Sequence, residues 1–334
     1  MRRVAPAVAL YFLSPLVAEF LLGDFPITMV FLLLVLSPMY GGGALVIREL
    51  VRRTGRGWPS IILLALAYGV FEEGVTTMSL FNPNYVDAHL LDQGFVPALG
   101  IAVPWTIFVL ALHTVWSISV PIALVEEWTP RRTTPWLRTP GFVIGCVLLA
   151  LGSFGTTMST YGNEHYIAAW PQLLTVAIVV IALVVAAFRL PRRDVASAVR
   201  PAPSPWLVLG GTLLAGGLFF LTKWSPVWLG VAAMLVALAG AAIMIARWSR
   251  RAGWGSWHRL AAAAGGLLTY AWHDFTMHPL MGDGPVVTPV SHVVLAVGAL
   301  ALLYFEVRSL RRRAVLPSAE AAAPVLSPAE ELTA

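Results

Sequence analysis

The sequence has little charge, a single lysine and a single cysteine. Charged residues make up 12% of its 334 residues, against about 25% in an average soluble domain, so an ordinary soluble globular fold is excluded. Because Cys146 is the only cysteine, the chain can form neither an intrachain disulfide nor a metal site built from several cysteines. It also lacks a His-Glu-x-x-His run, the motif of many helical zinc proteases.

What the chain has in quantity is apolar sequence, and runs of about 20 residues are long enough to cross a bilayer as helices. These runs predict an all-α, polytopic integral membrane protein. Ten spans are expected, at 5–23, 26–47, 58–80, 101–125, 140–160, 171–188, 206–224, 227–246, 260–281 and 286–307. Residues 1–313 would form the transmembrane helical bundle, and residues 314–334, rich in Ala, Pro and Glu, a disordered cytoplasmic tail.

The basic residues indicate the orientation of the chain. With ten spans, every basic residue except Lys223 falls on the side of the N-terminus, and the second of these inner segments holds Arg48, Arg52, Arg53 and Arg56. The positive-inside rule then predicts that both termini are cytoplasmic. The positive charge needs no nucleic-acid partner, and the predicted partner is the lipid bilayer. Arginine almost without lysine, together with abundant alanine, favours a GC-rich bacterial genome and hence the bacterial plasma membrane.

Two adjacent acids, Glu72 and Glu73, stand inside the predicted span 58–80. A charged side chain at membrane depth costs roughly 2.5–3.5 kcal/mol on insertion scales, so such residues usually face a protein interior and mark function. Other spans carry ionisable groups in their outer halves or near the midplane: Glu19, His113, His273, Asp274 and His292. Their common depth predicts a site that opens toward the outer side.

Helical spacing extends this site. Tyr68, Glu72, Thr76 and Ser79 share one face of an α-helix, and Glu73 points about 100° away. We predict that Glu72 or Glu73, His113 and Asp274 share one cavity in the outer half of the membrane. The predicted catalytic residues are Glu72, Glu73 and His113, and the predicted substrate-binding residues are Asp274, His273, Tyr68 and Asn82.

Several functions fit these residue types. A carboxylate and a histidine can activate water for hydrolysis of a peptide or small molecule in the membrane. The same groups could carry protons or a cation in a transporter, or could only hold helices together in an accessory protein. No metal is expected; if one binds, the ligands would be His113, Asp274 and His278, since Asp274 and His278 have i, i+4 spacing. The sequence does not identify a cofactor.

The segment Tyr68-Gly69-Val70-Phe71-Glu72-Glu73 resembles the glutamate motif of the CAAX-processing and bacteriocin-associated group of glutamic intramembrane proteases. The resemblance implies a catalytic base at Glu72 or Glu73 and a partner histidine at His113. The chain departs from the group's pattern at three positions: Thr76 stands for an arginine, Val109 for a phenylalanine and Ser117 for an asparagine.

Residues 71–84 and 113–121 also resemble an uncharacterised multi-pass family of Gram-positive bacteria. That resemblance implies membrane insertion and no particular activity.

Overall fold

The computed structural model describes residues 4–130, 132–190, 198–222 and 225–315, which are mostly helical. The described part of the chain forms eleven helices. They are α1 (Ala5–Phe20), α2 (Ile27–Leu36), α3 (Tyr40–Arg53), α4 (Trp58–Thr76), α5 (Val103–Trp128), α6 (Thr139–Glu164), α7 (Trp170–Arg189), α8 (Pro205–Leu221), α9 (Val227–Trp248), α10 (Ser256–His273) and α11 (Val287–Val315).

Six helices of the described chain are long and apolar enough to cross a membrane, or seven if the bent pair α2 and α3 is one span. They are α4, α5, α6, α7, α9 and α11, and α1 and α8 are shorter apolar helices. Helices occupy all ten predicted positions, which supports an all-α membrane protein. The count of ten spans and the side of the termini stay predictions. Helix α11 continues two residues into the predicted tail, and residues 316–334 lie outside the described residues.

Two short strand pairs occur in the connections. In the connection between α4 and α5, β1 (Phe95–Val96) pairs antiparallel with β2 (Ile101–Ala102). Near the ends of α7 and α9, β3 (Ala198–Pro201) pairs parallel with β4 (Arg251–Ala252). The second pair ties the connection between α7 and α8 to the loop after α9, and residues 191–197 of that connection lie outside the described residues.

Helices α4 and α5 form the centre of the bundle. The apolar windows of these two helices are 67% and 61% buried, against 11–28% for α6, α7, α9 and α11. Helix α4 packs on α7 and α5, α1 packs on α3 and α5, and α10 packs on α8 and α5. The peripheral helices therefore present apolar side chains to the surroundings, as lipid-facing helices do.

Proline marks where several helices begin. Helices α1, α4, α5, α6, α7 and α8 carry it at their first or second position. A proline there loses no helical hydrogen bond, because the first N–H groups of a helix have no partner in it, and its fixed φ suits the helix. The sequence alone therefore indicates where these helices begin.

Three helices are interrupted by π-helical turns. We call them π1 (Leu16–Phe20, at the end of α1), π2 (Glu72–Thr76, at the end of α4) and π3 (Leu112–Ser119, within α5). After π3, Pro121 has no N–H to donate to the carbonyl of Ser117. The hydroxyl of Ser14 donates to that carbonyl instead, at 2.6 Å. This contact fastens α1 to α5 beside π3.

The glycine run at the start of α3 allows close packing. A Cβ at Gly41 would lie 1.9 Å from the carbonyl oxygen of Tyr11, and one at Gly43 would lie 2.5 Å from the ring of Tyr68. Helices α2 and α3 meet at an angle of 51° just before this run. The glycines thus let α3 approach α1 and α4 at the bend.

The predicted span 26–47 ends too early, before Arg48, Arg52 and Arg53. All three lie in α3, and Arg48 is fully buried and Arg52 almost so. Arg48 pairs with Glu49 at 2.6 Å and with Glu126 of α5 at 3.1 Å, and Arg52 pairs with Glu126 at 2.6 Å. Burial is tolerated because each guanidinium has a buried carboxylate partner. This inner ion-pair cluster was not anticipated from charge distribution alone.

Candidate functional site

The three π-helical turns carry the acids and the histidine that the sequence singled out. Glu19 lies in π1, Glu72 and Glu73 lie in π2, and His113 lies in π3. The turn π1 packs against π3, and π3 packs against α4. A π-helical turn breaks the regular rotation of side chains and is frequent at functional sites.

The imidazole of His113 lies between two carboxylates. Its Nε2 is 2.7 Å from Oε1 of Glu73, and its Nδ1 is 3.1 Å from Oε2 of Glu72. The hydroxyl of Ser117 lies 3.3 Å from the same Nδ1. All of these side chains are buried. The structure therefore brings together the three residues predicted as catalytic.

Glu73 is held on both of its carboxylate oxygens. His113 contacts Oε1, while the hydroxyls of Thr77, at 3.0 Å, and Ser79 both donate to Oε2. The indole of Trp105 donates in turn to the Ser79 hydroxyl at 3.1 Å. Four side chains thus fix the position of the Glu73 carboxylate and, through it, the ring of His113.

Glu72 is different: its carboxylate interacts with the side chains of His113, Tyr40 and Tyr68, but none of these contacts has full hydrogen-bond geometry. The hydroxyl of Tyr68 is buried beside this carboxylate. The rings of Tyr40 and Tyr68 lie 6.0 and 6.1 Å from the ring of His113 and close the site on two sides.

The spacing of Glu72, Glu73 and His113 would also suit a metal ion. Their ligand atoms all lie within 4.8 Å of one another, and no other group of three acids, histidines or cysteines in the described part of the chain does so. A metal set of His113, Asp274 and His278 is therefore not formed. Helix α10 ends at His273, and Met277 is extended, so the i, i+4 spacing of Asp274 and His278 is not helical.

The structure places the other predicted residues in separate contacts. Asp274 pairs with His292 at 3.4 Å and lies outside the Glu72–His113 contacts. The ring of His273 packs on Phe220, and the exposed His278 pairs with Asp283. Hydrogen bonding by the Thr288 hydroxyl and by the backbone of Gly284 lowers the pKa of Asp283 in this loop.

Asn82 anchors the loop that comes after π2. Its side-chain amide donates to Glu164 at 3.2 Å, and its side-chain oxygen accepts from the backbone of Asn84 at 3.0 Å. The first contact joins this loop to the end of α6. Its predicted role in substrate binding stays a prediction.

Sequence reasoning missed Tyr40, Thr77 and the true contact of Ser79. Helical spacing put Ser79 on the face of Glu72, but it donates to Glu73. The reason is that α4 ends at Thr76 and Met78 adopts a left-handed backbone conformation, so Ser79 no longer lies on the helix. No sequence pattern singled out Tyr40, because it is the bend between α2 and α3 that brings this residue to the site.

A groove opens on the surface of the bundle beside Phe71. It has a volume of about 550 Å³ and is lined by Phe71, Cys146, Leu149, Ala150, Ser153, Phe154 and Thr157. Phe71 directly precedes Glu72, and the remaining residues belong to α6. The groove is mostly apolar, with the Ser153 hydroxyl buried in α6 without a hydrogen bond to the described residues.

Comparison with known proteins gives a family and nothing more specific. No curated protein and no solved structure matches the chain. Over residues 8–305 the chain matches the model of an uncharacterized membrane protein family, and it belongs to that family.

Proposed function

We propose that this protein is a membrane-embedded hydrolase whose centre is Glu72, Glu73 and His113. The observation that carries the proposal is the buried His113 ring, which faces Glu73 at 2.7 Å through one nitrogen and Glu72 at 3.1 Å through the other. A carboxylate and an imidazole at this separation can share and transfer a proton.

The two glutamates have different roles in this proposal. Since a carboxylate oxygen accepts hydrogen bonds, Nε2 of His113 carries the proton that faces Glu73. Nδ1 of the same ring then faces Oε2 of Glu72. Without a proton between them, this nitrogen and this oxygen would both be hydrogen-bond acceptors. Glu72 and Nδ1 therefore act as the pair that takes and returns a proton. Glu73 is a positioning residue that orients the ring.

The reaction follows from this assignment. Glu72 accepts a proton from water as the water oxygen attacks the carbonyl carbon of an amide or ester. The bond from that carbon to nitrogen or oxygen breaks, and the Glu72–His113 pair returns the proton to the leaving group. The products are a carboxylic acid and an amine or alcohol. The resemblance of residues 68–73 to glutamic intramembrane proteases favours a peptide as the substrate.

The groove beside Phe71 provides a lateral approach to this centre. Its lining is mostly apolar and belongs to peripheral α6, so a substrate inside the bilayer could reach it without crossing water. The substrate is therefore expected to be a peptide segment or a small molecule dissolved in the membrane.

The test is hydrolysis in H₂¹⁸O by the purified protein in liposomes that contain a host membrane-protein fraction. We expect new carboxyl termini carrying ¹⁸O, detected by mass spectrometry, with the wild type and not with Glu72→Gln. The matched control is Glu306→Gln, because Glu306 is another buried acid of a membrane helix, lying in α11. Label incorporation that is equal in Glu72→Gln and the wild type would exclude this proposal.

Transport is the alternative use of the same groups. It needs a polar path across the bundle, yet fully buried Ala44, Ile118 and Ile122 lie between the His113 site and the inner ion-pair cluster. His113 and Glu126 are about 20 Å apart along α5. Substrate flux driven by a proton gradient, with no ¹⁸O-labelled product, would establish transport instead.

A further inference from the structure

Three arginines from separate parts of the chain meet at the end of α5. Arg132 lies in the connection after α5, Arg259 near the start of α10 and Arg313 near the end of α11. Nε of Arg132 is 3.7 Å from Oε1 of Glu127, and Nε of Arg259 donates to the same oxygen. Arg313 donates to the backbone carbonyl of Glu127 at 2.8 Å. The three guanidinium groups therefore surround a single glutamate.

The acids at this point do not balance the arginines. Glu127 is buried, and it is the only described acid in an ion pair with Arg132 or Arg259. Arg313 donates to two backbone carbonyls at the end of α5 and to a serine hydroxyl. Glu306, earlier in α11, attracts Arg313 but is not ion-paired with it in the described chain. Even with Glu306 counted, three positive charges face two negative ones.

The neighbouring inner ion-pair cluster supplies no further acid. Its Glu126 already pairs with both Arg48 and Arg52. Its other acid, Glu49, pairs with Arg48 and with Arg53 of the same helix. Two carboxylates there serve three arginines, so this end of the bundle carries an excess of positive charge.

The excess charge is accessible at Arg132 and Arg259, whose side chains are 30% and 17% exposed. Within the described chain, no hydrogen bond is donated by either Nη atom of Arg132 or by Nη1 of Arg259. Burial and the like charge of Arg259 lower the pKa of Arg132. An anion between these donors would remove the repulsion, and phosphate oxygens fit the planar guanidinium fork.

Two exposed tryptophans indicate that this group lies at the depth of lipid headgroups. Trp128, the last residue of α5, is 51% exposed, and Trp257, in the first turn of α10, is 38% exposed. Indole rings at the ends of membrane helices lie at the membrane–water interface. Basic pockets between membrane helices bind anionic headgroups on the cytoplasmic side, which is the predicted side of these arginines. A lipid phosphate therefore suits this position better than a soluble anion does.

We propose that Arg132 and Arg259 bind the phosphate of an anionic phospholipid, with Arg313 adding positive charge beside them. The site is separate from the His113 site and does not depend on the proposed hydrolase. Because its two arginines belong to the α5–α6 connection and to α10, a bound headgroup would hold these parts together and stabilise the bundle.

The experiment is lipid binding by the purified protein in detergent micelles. Dioleoylphosphatidylglycerol is titrated in, and bound lipid is counted by native mass spectrometry. Dioleoylphosphatidylcholine, which has the same tails and a phosphate but no net charge, is titrated in parallel. We expect the wild type to bind one phosphatidylglycerol more tightly than it binds phosphatidylcholine. Arg132→Gln should weaken that binding about fivefold, the effect of one arginine at an anionic membrane surface, and Arg132→Lys should keep most of it.

The matched control is Arg138→Gln, which removes the same charge from an exposed arginine of the same connection. It should bind phosphatidylglycerol as the wild type does. Arg132 is partly exposed and its contact with Glu127 is long, so Arg132→Gln should fold, which circular dichroism and gel filtration check. Unchanged binding in Arg132→Gln, or an equal loss in both variants, would overturn the proposal. A wild type without preference for phosphatidylglycerol would do the same.

Inorganic phosphate separates a lipid from a soluble anion as the ligand. Added at the concentration of the lipid, it should not displace bound phosphatidylglycerol. Phosphatidylglycerol should raise the temperature of thermal unfolding, because it binds the folded state, and inorganic phosphate should not. Equal effects of the two would assign the site to soluble phosphate and exclude the lipid.

Discussion

Glu73 and His113 are hydrogen-bonded at 2.7 Å between Oε1 and Nε2, and both side chains are buried in the centre of the bundle. The pair joins π2 of α4 to π3 of α5. Because the other carboxylate oxygen of Glu73 accepts from two hydroxyls, the ring of His113 cannot turn without breaking this arrangement. Its second nitrogen therefore stays directed at Glu72.

Removing the Ser79 hydroxyl should loosen this arrangement. Ser79→Ala takes away a donor to the buried Glu73 carboxylate and an acceptor for Trp105. We expect a loss of about 1.5–3 kcal/mol in the free energy of unfolding, as for hydrogen bonds to charged groups. Turnover should fall with a changed pH–rate profile, because His113 is held less firmly.

The matched control is Ser119→Ala. The hydroxyl of Ser119 is buried in π3 and has no hydrogen-bond partner in the described chain. Its removal should leave stability and the pH–rate profile unchanged. Equal effects of the two substitutions would show that Ser79 has no special role.

Breaking the inner ion-pair cluster should destabilise the whole bundle. Glu126→Gln removes the charge that balances Arg48 and Arg52 inside the protein. Loss of one partner of a buried ion pair costs about 3–5 kcal/mol, because the other charge stays buried without compensation. Denaturant unfolding in micelles measures this difference.

Glu306→Gln is the comparison for that prediction. Glu306 is also buried, but one of its carboxylate oxygens has no hydrogen bond among the described residues. The substitution should be neutral or slightly stabilising. If Glu126→Gln behaves in the same way, the cluster contributes little to stability.

A methyl group at Gly41 should separate α1 from α3. The Cβ of Gly41→Ala would lie 1.9 Å from the Tyr11 carbonyl oxygen, so backbone must move. Overpacking of this kind costs about 1–3 kcal/mol or more. Gly155→Ala is the control, since a Cβ there meets nothing within 4 Å. Thermal unfolding of both variants tests the difference.

Filling the groove should block substrates in the membrane. Ala150→Phe adds a large side chain to the groove lining. If the proposed hydrolase takes substrates laterally, KM for a membrane-inserted peptide should rise while kcat for a short soluble peptide changes little. Val147→Phe, on an exposed part of the same helix outside the groove, should leave both unchanged. A proportional loss with both peptides would argue against lateral entry.

Reporter fusions test the predicted topology. Fusions after six residues that follow predicted spans one to five and span ten should alternate between the outer and the inner side. The positions are Gly23, Arg53, Asp92, Arg132, Glu164 and Arg313. The first should be outside and the last inside. Two neighbouring fusion sites on the same side would contradict ten spans with cytoplasmic termini.

The site was only partly predictable from the sequence. Glu72, Glu73 and His113 stood out because an ionisable side chain in an apolar run is costly and rare, whatever the fold. Asp274 stood out for the same reason, but only the packing of α10 against α11 decided that His292 is its partner. The position of a residue in the sequence sets its depth along a helix, but it does not determine which residues of other helices it contacts.

By itself, the sequence determined that this chain is helical and suited to a membrane, and where most helices begin. Apolar run length and the fixed φ of proline act locally, so they need no tertiary contact. Only the tertiary structure decided that Ser79 contacts Glu73, that Arg48 is buried against Glu126, and that Glu72 faces His113. Those outcomes depend on π-helical turns and helix packing, where contacts between residues far apart in the chain override the regular α-helical spacing.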